Sequence, residues 1–233
     1  MMKKLLMVLL SLICCISILG CGADPKKEAQ RLNAEYYENI KNIFSDWSKE
    51  VDPIVQTSPD FKSSILQIAQ ITNSKTMPAL NELKVKFDKE KSSTELKPMH
   101  DSLNSLFNTT FSFFTKWIEQ DGFSNMNQVD ANIELIRSTN LMLNARLLYE
   151  NEYSLLVNKK STYNLDLEHY NKIKQGDTYA DIANILGMPG QLTYSSQGSF
   201  LWAESYEWVL GNKRVSAKFE NNRLKIISQF NLQ

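Results

Sequence analysis

Histidine is almost missing from this chain of 233 residues: only His100 and His169 occur, and no His-x-x-x-His or Asp-x-Asp-x-Asp-Gly spacing is present. The usual ligand sets of a structural or catalytic metal site are therefore lacking. Cysteine is as scarce, with Cys14 and Cys15 inside an apolar leader and Cys21 just after it. Removal of that leader leaves one thiol and no disulfide, so stability must come from an apolar core. Neither sign of charge is in excess, since 26 basic residues face 26 acidic ones. A protein that holds nucleic acid carries a basic surplus to neutralise phosphates. Gly-x-Ser-x-Gly, Gly-x-Gly-x-x-Gly and the P-loop are absent too. These absences predict a non-enzymatic protein with no cofactor, no metal and no nucleic-acid partner, and they leave His169 as a solvent-facing linker residue.

What is present begins with the leader. Lys3 and Lys4 precede an apolar run from Leu5 to Leu19 broken only by Ser11 and Ser17. At roughly 15 residues the run falls short of the ~20 that a membrane-spanning helix needs, and it has the charged start and apolar stretch of a secretory signal. Ile18-Leu19-Gly20-Cys21 resembles a bacterial lipobox, in which the cysteine is diacylated on sulfur before cleavage and becomes the new first residue. The reading is a cleaved signal at residues 1–20 and a lipoprotein tethered to a bilayer through acylated Cys21, on the extracytoplasmic side of a cell envelope. Each buried methylene contributes about 0.8 kcal/mol, and two chains anchor stably where one does not. Ordinary secretion, with cleavage near Ala23 and loss of Cys21, is the alternative.

Glycine divides the remainder. Only Gly122 lies between Ala23 and Gln175, while Gly176, Gly187, Gly190, Gly198 and Gly211 crowd the end. Glycine-free stretches favour helices and clustered glycines favour turns, which predicts a helical bundle over residues 21–160 and a small α+β domain over 165–233. Asp24-Pro25 spells a helix start. Apolar residues then recur by threes and fours from Ala29 to Ile54, with Pro53 expected to kink or end that helix. A second helix from Ser58-Pro59-Asp60 meets Pro78. The third stripe runs Leu96, Met99, Leu103, Leu106, Thr110, Phe113 and Trp117, and the fourth runs Met126, Val129, Ile133, Ile136, Asn140, Leu143 and Leu147. Such spacing suits antiparallel helices at small crossing angles. Asn140 on the fourth seam reads either as a register-setting polar residue or as a ligand contact. Phe107, Phe111, Phe113, Phe114 and Trp117 cover more than one helix face and must meet another element or a ligand.

In the second region Thr178 and Asp181 form the start of a short helix that ends at Gly187 before Pro189. Four strands follow at Gln191 to Ser195, Phe200 to Leu210, Arg214 to Phe219 and Arg223 to Phe230. The turns between them are Ser196-Gln197-Gly198, Gly211-Asn212 and Glu220-Asn221-Asn222. Parity puts Phe200, Trp202, Tyr206, Trp208 and Leu210 on one buried face with Val215, Ala217, Phe219, Leu224, Ile226 and Phe230. The opposite, wet face receives Glu207, Arg214 and Lys218. Glu204 breaks the aromatic face and is expected to be solvated at an edge or paired across the sheet.

The run from Tyr170 through Ile173, Gly176-Asp177-Thr178-Tyr179, Asp181-Ile182, Ile185-Leu186-Gly187 and Pro189-Gly190, with Tyr206-x-Trp208 and a strand ending at Phe219, resembles the SmpA/OmlA (BamE-like) superfamily. Its relatives include the beta-lactamase inhibitory protein fold. The resemblance covers less than a third of the chain and implies two short helices packed on a four-stranded antiparallel sheet, in a module that binds proteins. With the lipobox it points to an envelope lipoprotein that acts by contact with an envelope protein, with Glu207, Arg214 and Lys218 as candidate partner residues. One alternative is a proteinaceous inhibitor of a hydrolase such as a beta-lactamase. The other is a small-molecule or lipid receptor with a cavity in the bundle around Phe107 to Trp117.

Overall fold

Asp24 caps the first helix: its carboxylate accepts from the Lys26 N–H at 3.0 Å and its carbonyl from the Glu28 N–H at 2.9 Å. Pro25 follows in the first turn, where a missing N–H costs no bond. The computed structural model describes residues 24–57, 61–89, 96–119, 126–198 and 201–233, and the chain is α+β. Cys21 and Phe200 lie outside the described residues. Helix α1 (Pro25–Thr57) runs on past Pro53, which was expected to kink or end it. So near its C-terminal end the proline removes one ladder bond with little helix left to misalign.

Helices α2 (Phe61–Ile71) and α3 (Met77–Lys89) are joined by a π-helical turn, Thr72–Thr76. The interruption therefore precedes Pro78, which falls in the first turn of α3. Trp47 Nε1 donates to Thr72 Oγ1 at 2.8 Å, and that hydroxyl donates to Ile68 O at 2.7 Å, so the turn is held from α1. Helices α4 (Lys97–Glu119) and α5 (Gln128–Asn158) complete the bundle. Contacts of Trp47 with Thr72 and of Tyr36 with Phe87 run α1 against the π-helical turn and α3, and the Lys116–Glu134 ion pair closes the α4–α5 hairpin. The third stripe is buried from Leu96 to Phe113. Phe113 and Phe114 pack on Trp47 with ring centroids 5.5 and 5.2 Å apart, so these aromatics meet another helix and form core.

The fourth stripe does not do what its spacing suggests. Ala131, Met142, Ala145 and Tyr149 of α5 are the residues that join the bundle core, with Leu135 and Leu156 beside them. Leu143 and Leu147, from the expected seam, belong to the core of the C-terminal region. Met126 and Val129, at its start, are exposed. Helix α5 has two apolar faces, one closing the bundle and the other carrying the second region. Asn140 is buried, and its Nδ2 makes no hydrogen bond among the described residues.

Beyond α5 come α6 (Leu167–Tyr170) and α7 (Tyr179–Leu186). His169, expected in solvent, is half-buried, with Nδ1 at 2.8 Å from Asp166 Oδ1, because Asp166 caps α6. Thr178 and Asp181 make the expected capping box on α7, and Gly187 ends it at φ +64°. A side chain at Gly190 would start 2.7 Å from the Trp208 ring, which the bare backbone lets pack on α7. Strands β1 (Gln191–Gln197), β2 (Trp202–Leu210), β3 (Lys213–Glu220) and β4 (Arg223–Phe230) pair antiparallel in chain order. Strand β1 extends two residues beyond its expected end, so the first turn is shifted to Gly198, whose N–H donates to Leu201 O at 2.8 Å. Asn221 and Asn222 both take positive φ, the conformation a two-residue hairpin requires.

The inner face follows the expected parity from Trp202 to Trp208 of β2 and along β3, but Leu210, expected inside, is exposed where β2 runs into the Gly211 turn, and the parity fails along β4. A bulge shifts the register so that Phe219 faces Leu224 while Lys218 faces Ile226 and Ala217 faces Ile227. One extra residue reverses the side on which everything after it projects. Ile226 and Phe230, expected in the core, stand outside at 62% and 67% exposure, and Ile227 turns inward instead.

Candidate functional site

The outer face of the sheet gathers all three sequence-predicted contact residues of the second region. Arg214 Nη1 lies 3.9 Å from Glu207 Oε1, which also accepts from Ser216 Oγ at 3.2 Å. Lys218, four positions along β3, pairs with Glu220 at 3.2 Å. Register makes rows of them: Val209, Arg214 and Phe230 lie side by side, as do Tyr194, Ser205, Lys218 and Ile226. A small ionic centre is thus framed by exposed aromatic and aliphatic side chains. Ile226 and Phe230 were missed because the bulge that exposes them has no glycine or proline to announce it. Cys21, the lipidation candidate, lies outside the described residues.

Glu204 is neither solvated nor paired across the sheet alone. It is buried, and its Oε1 accepts from Arg137 Nε of α5 at 3.0 Å while its Oε2 accepts from the Tyr206 hydroxyl at 2.7 Å. Arg137 also reaches Ser195 Oγ at 3.0 Å and lies over the Trp202 ring at 5.5 Å. Burial and the Glu204 carboxylate together push the Tyr206 hydroxyl well above its ordinary range. Near the other end of the same interface Asn144 of α5 accepts from the Tyr179 hydroxyl at 2.5 Å, and burial pushes that phenol up to about 12. These pairs hold the sheet and α7 to the spine of the bundle.

A second concave place lies where the bundle meets α7. It is a cleft of about 280 Å³ walled by Ile40 and Phe44 of α1, Leu106 of α4, and Met142 and Leu143 of α5. Ala180 and Asn184 of α7 close one side, and Lys41 and Arg146 supply its charges. Arg146 Nη2 donates to Asn184 Oδ1 at 2.8 Å, whereas its buried Nε makes no hydrogen bond among the described residues and sits 3.7 Å from Glu150 Oε1. The Tyr37 hydroxyl donates to that same Glu150, and burial with this neighbour raises it far above the usual phenol range. The cleft shares Leu106 with the aromatic helix that was expected to line a cavity, but Phe107, Phe113 and Phe114 are packed away from solvent. Its sequence signal was Arg146, a cation within the apolar stretch Leu141 to Tyr149.

Among the described residues no helix is long and apolar enough to cross a membrane, and no group of three metal-ligating side chains occurs. No family model, curated protein or solved structure matches the chain.

Proposed function

We propose that this chain is a membrane-anchored cell-envelope lipoprotein that acts, without catalysis, by binding another envelope protein through the outer face of its sheet. The observation that carries the reading is the set of exposed apolar side chains Tyr194, Val209, Ile226 and Phe230 around Glu207, Arg214 and Lys218. Clustered exposed apolar and aromatic side chains mark protein contact sites, whereas a sheet face that meets only water is mostly polar. The anchor rests on the Leu19-Gly20-Cys21 pattern, which would hold the sheet near a lipid surface.

Two measurements test the halves of this reading. Palmitate should label the chain in growing cells and fail to label Cys21→Ser; equal labelling of both removes the anchor. A photo-crosslinking residue at Phe230 should trap one recurrent envelope protein, and one at Lys49 on the far bundle should not. Capture of the same proteins from both positions, or of none, counts against the sheet face.

A further inference from the structure

We infer that the cleft between the bundle and α7 binds a medium-length acyl chain ending in a carboxylate, a site independent of the sheet face. Its walls are apolar from three bundle helices, and the three hydroxyl-bearing residues that line it are already engaged: Thr110 donates to Leu106 O at 2.8 Å, Thr139 to Ile136 O at 2.9 Å, and Tyr37 to Glu150. An entering ligand therefore meets hydrocarbon and methyl groups along its body. The charged residues that line the cleft are both cations, Lys41 and Arg146, with no acidic residue among the lining side chains. Glu150 stands just behind Arg146, and its carboxylate also accepts the Tyr37 hydroxyl.

Arg146 is held for such a role. Its Nη2 bond to Asn184 fixes the guanidinium plane, while Nε lies 3.7 Å from the Glu150 carboxylate outside the cleft. An anionic head in the cleft is met by the Nη nitrogens of this guanidinium in a charge-assisted hydrogen bond. Lys41, exposed on α1 and loosely paired with Glu38 at 3.5 Å, can turn to the same head as a point charge. Size sets the class. A cavity of roughly 150 Å³ holds benzene, so one of about 280 Å³ takes a single short chain and excludes a two-chain lipid. Met142, unbranched and adaptable, suits a flexible chain.

Calorimetric titration of the full chain carrying Cys21→Ser tests this without interference from acylation. Decanoate should bind, with decanol about tenfold weaker, the discrimination that a charge-assisted hydrogen bond provides, and decyltrimethylammonium should give no heat. Lys41→Gln and Arg146→Gln should each bring decanoate toward the affinity of decanol. Leu143→Trp should abolish binding of both, and if that variant loses its circular dichroism, Ala180→Phe blocks the same cleft from α7. Equal affinity for the three head groups, no decanoate binding at millimolar concentration, or binding that survives the blocking variant would each overturn the assignment. None of these outcomes bears on the sheet-face reading, which the crosslinking experiment decides separately.

Discussion

At Gly190 a close approach fixes the residue type. Trp208 is fully buried, donates from Nε1 to Met188 O at 3.1 Å, and lies against the backbone where a Cβ would stand 2.7 Å away. Gly190→Ala should lower the unfolding free energy by about 1–3 kcal/mol through overpacking, measured by urea denaturation. No change would mean that the indole moves aside freely. Arg137 makes a second case, since Glu204 at 4% exposure depends on it for charge balance. Arg137→Ala should cost about 2 kcal/mol, because a buried carboxylate then keeps only hydroxyl donors. Arg137→Ala with Glu204→Gln should recover part of that loss. A double variant as unstable as the single one would assign the effect to lost packing on Trp202.

Among the elements, α7 is the one whose ends are most fully specified. Thr178 Oγ1 accepts from the Asp181 N–H at 3.2 Å, and Asp181 Oδ2 accepts from the Thr178 N–H at 2.8 Å. The Thr178 N–H and the Thr178 hydroxyl, which also donates to Oδ2 at 2.7 Å, hold the Asp181 carboxyl below its ordinary value of 3.8. A depressed value in the folded state means that the stabilisation is complete above the unfolded value and is lost as pH falls through the folded one. Thr178→Ala should cost about 1 kcal/mol at neutral pH. The difference from the parent should shrink as the pH is taken below the aspartate range, and a difference that stays constant through acid would remove Asp181 from the account. The cap was legible because it uses neighbours three residues apart. The β4 bulge was not, because Lys225 carries no local preference for the extra residue, and cross-strand packing of Leu224 and Ile227 against β3 selects it.

For the whole molecule, α5 is the shared spine. Tyr149 of α5 donates to Asn33 O of α1 at 3.0 Å on one side, while Leu147, two residues earlier, is core to the sheet region on the other. The two regions should therefore unfold as one. Leu147→Ala, a large-to-small change in a packed site, should cost about 3 kcal/mol, and amide exchange should accelerate equally in peptides from α1 and from β3. Acceleration confined to the sheet peptides would show that α5 does not couple the two.

Sequence alone determined the elements: helix starts at Asp24 and Thr178, the exit at Gly187, the burial of Leu96 to Phe113, and the turns at Gly211-Asn212 and Asn221-Asn222. Each depends on residues within a turn or two of one another, where backbone preference and apolar spacing act directly. The tertiary structure decided which side of α5 faces which core, that Glu204 meets Arg137, that Ile226 and Phe230 face solvent, and that Lys41 and Arg146 share one cleft. Those outcomes join residues far apart in the chain. Spacing tells that an apolar stripe must be covered, and only packing of the whole chain selects what covers it.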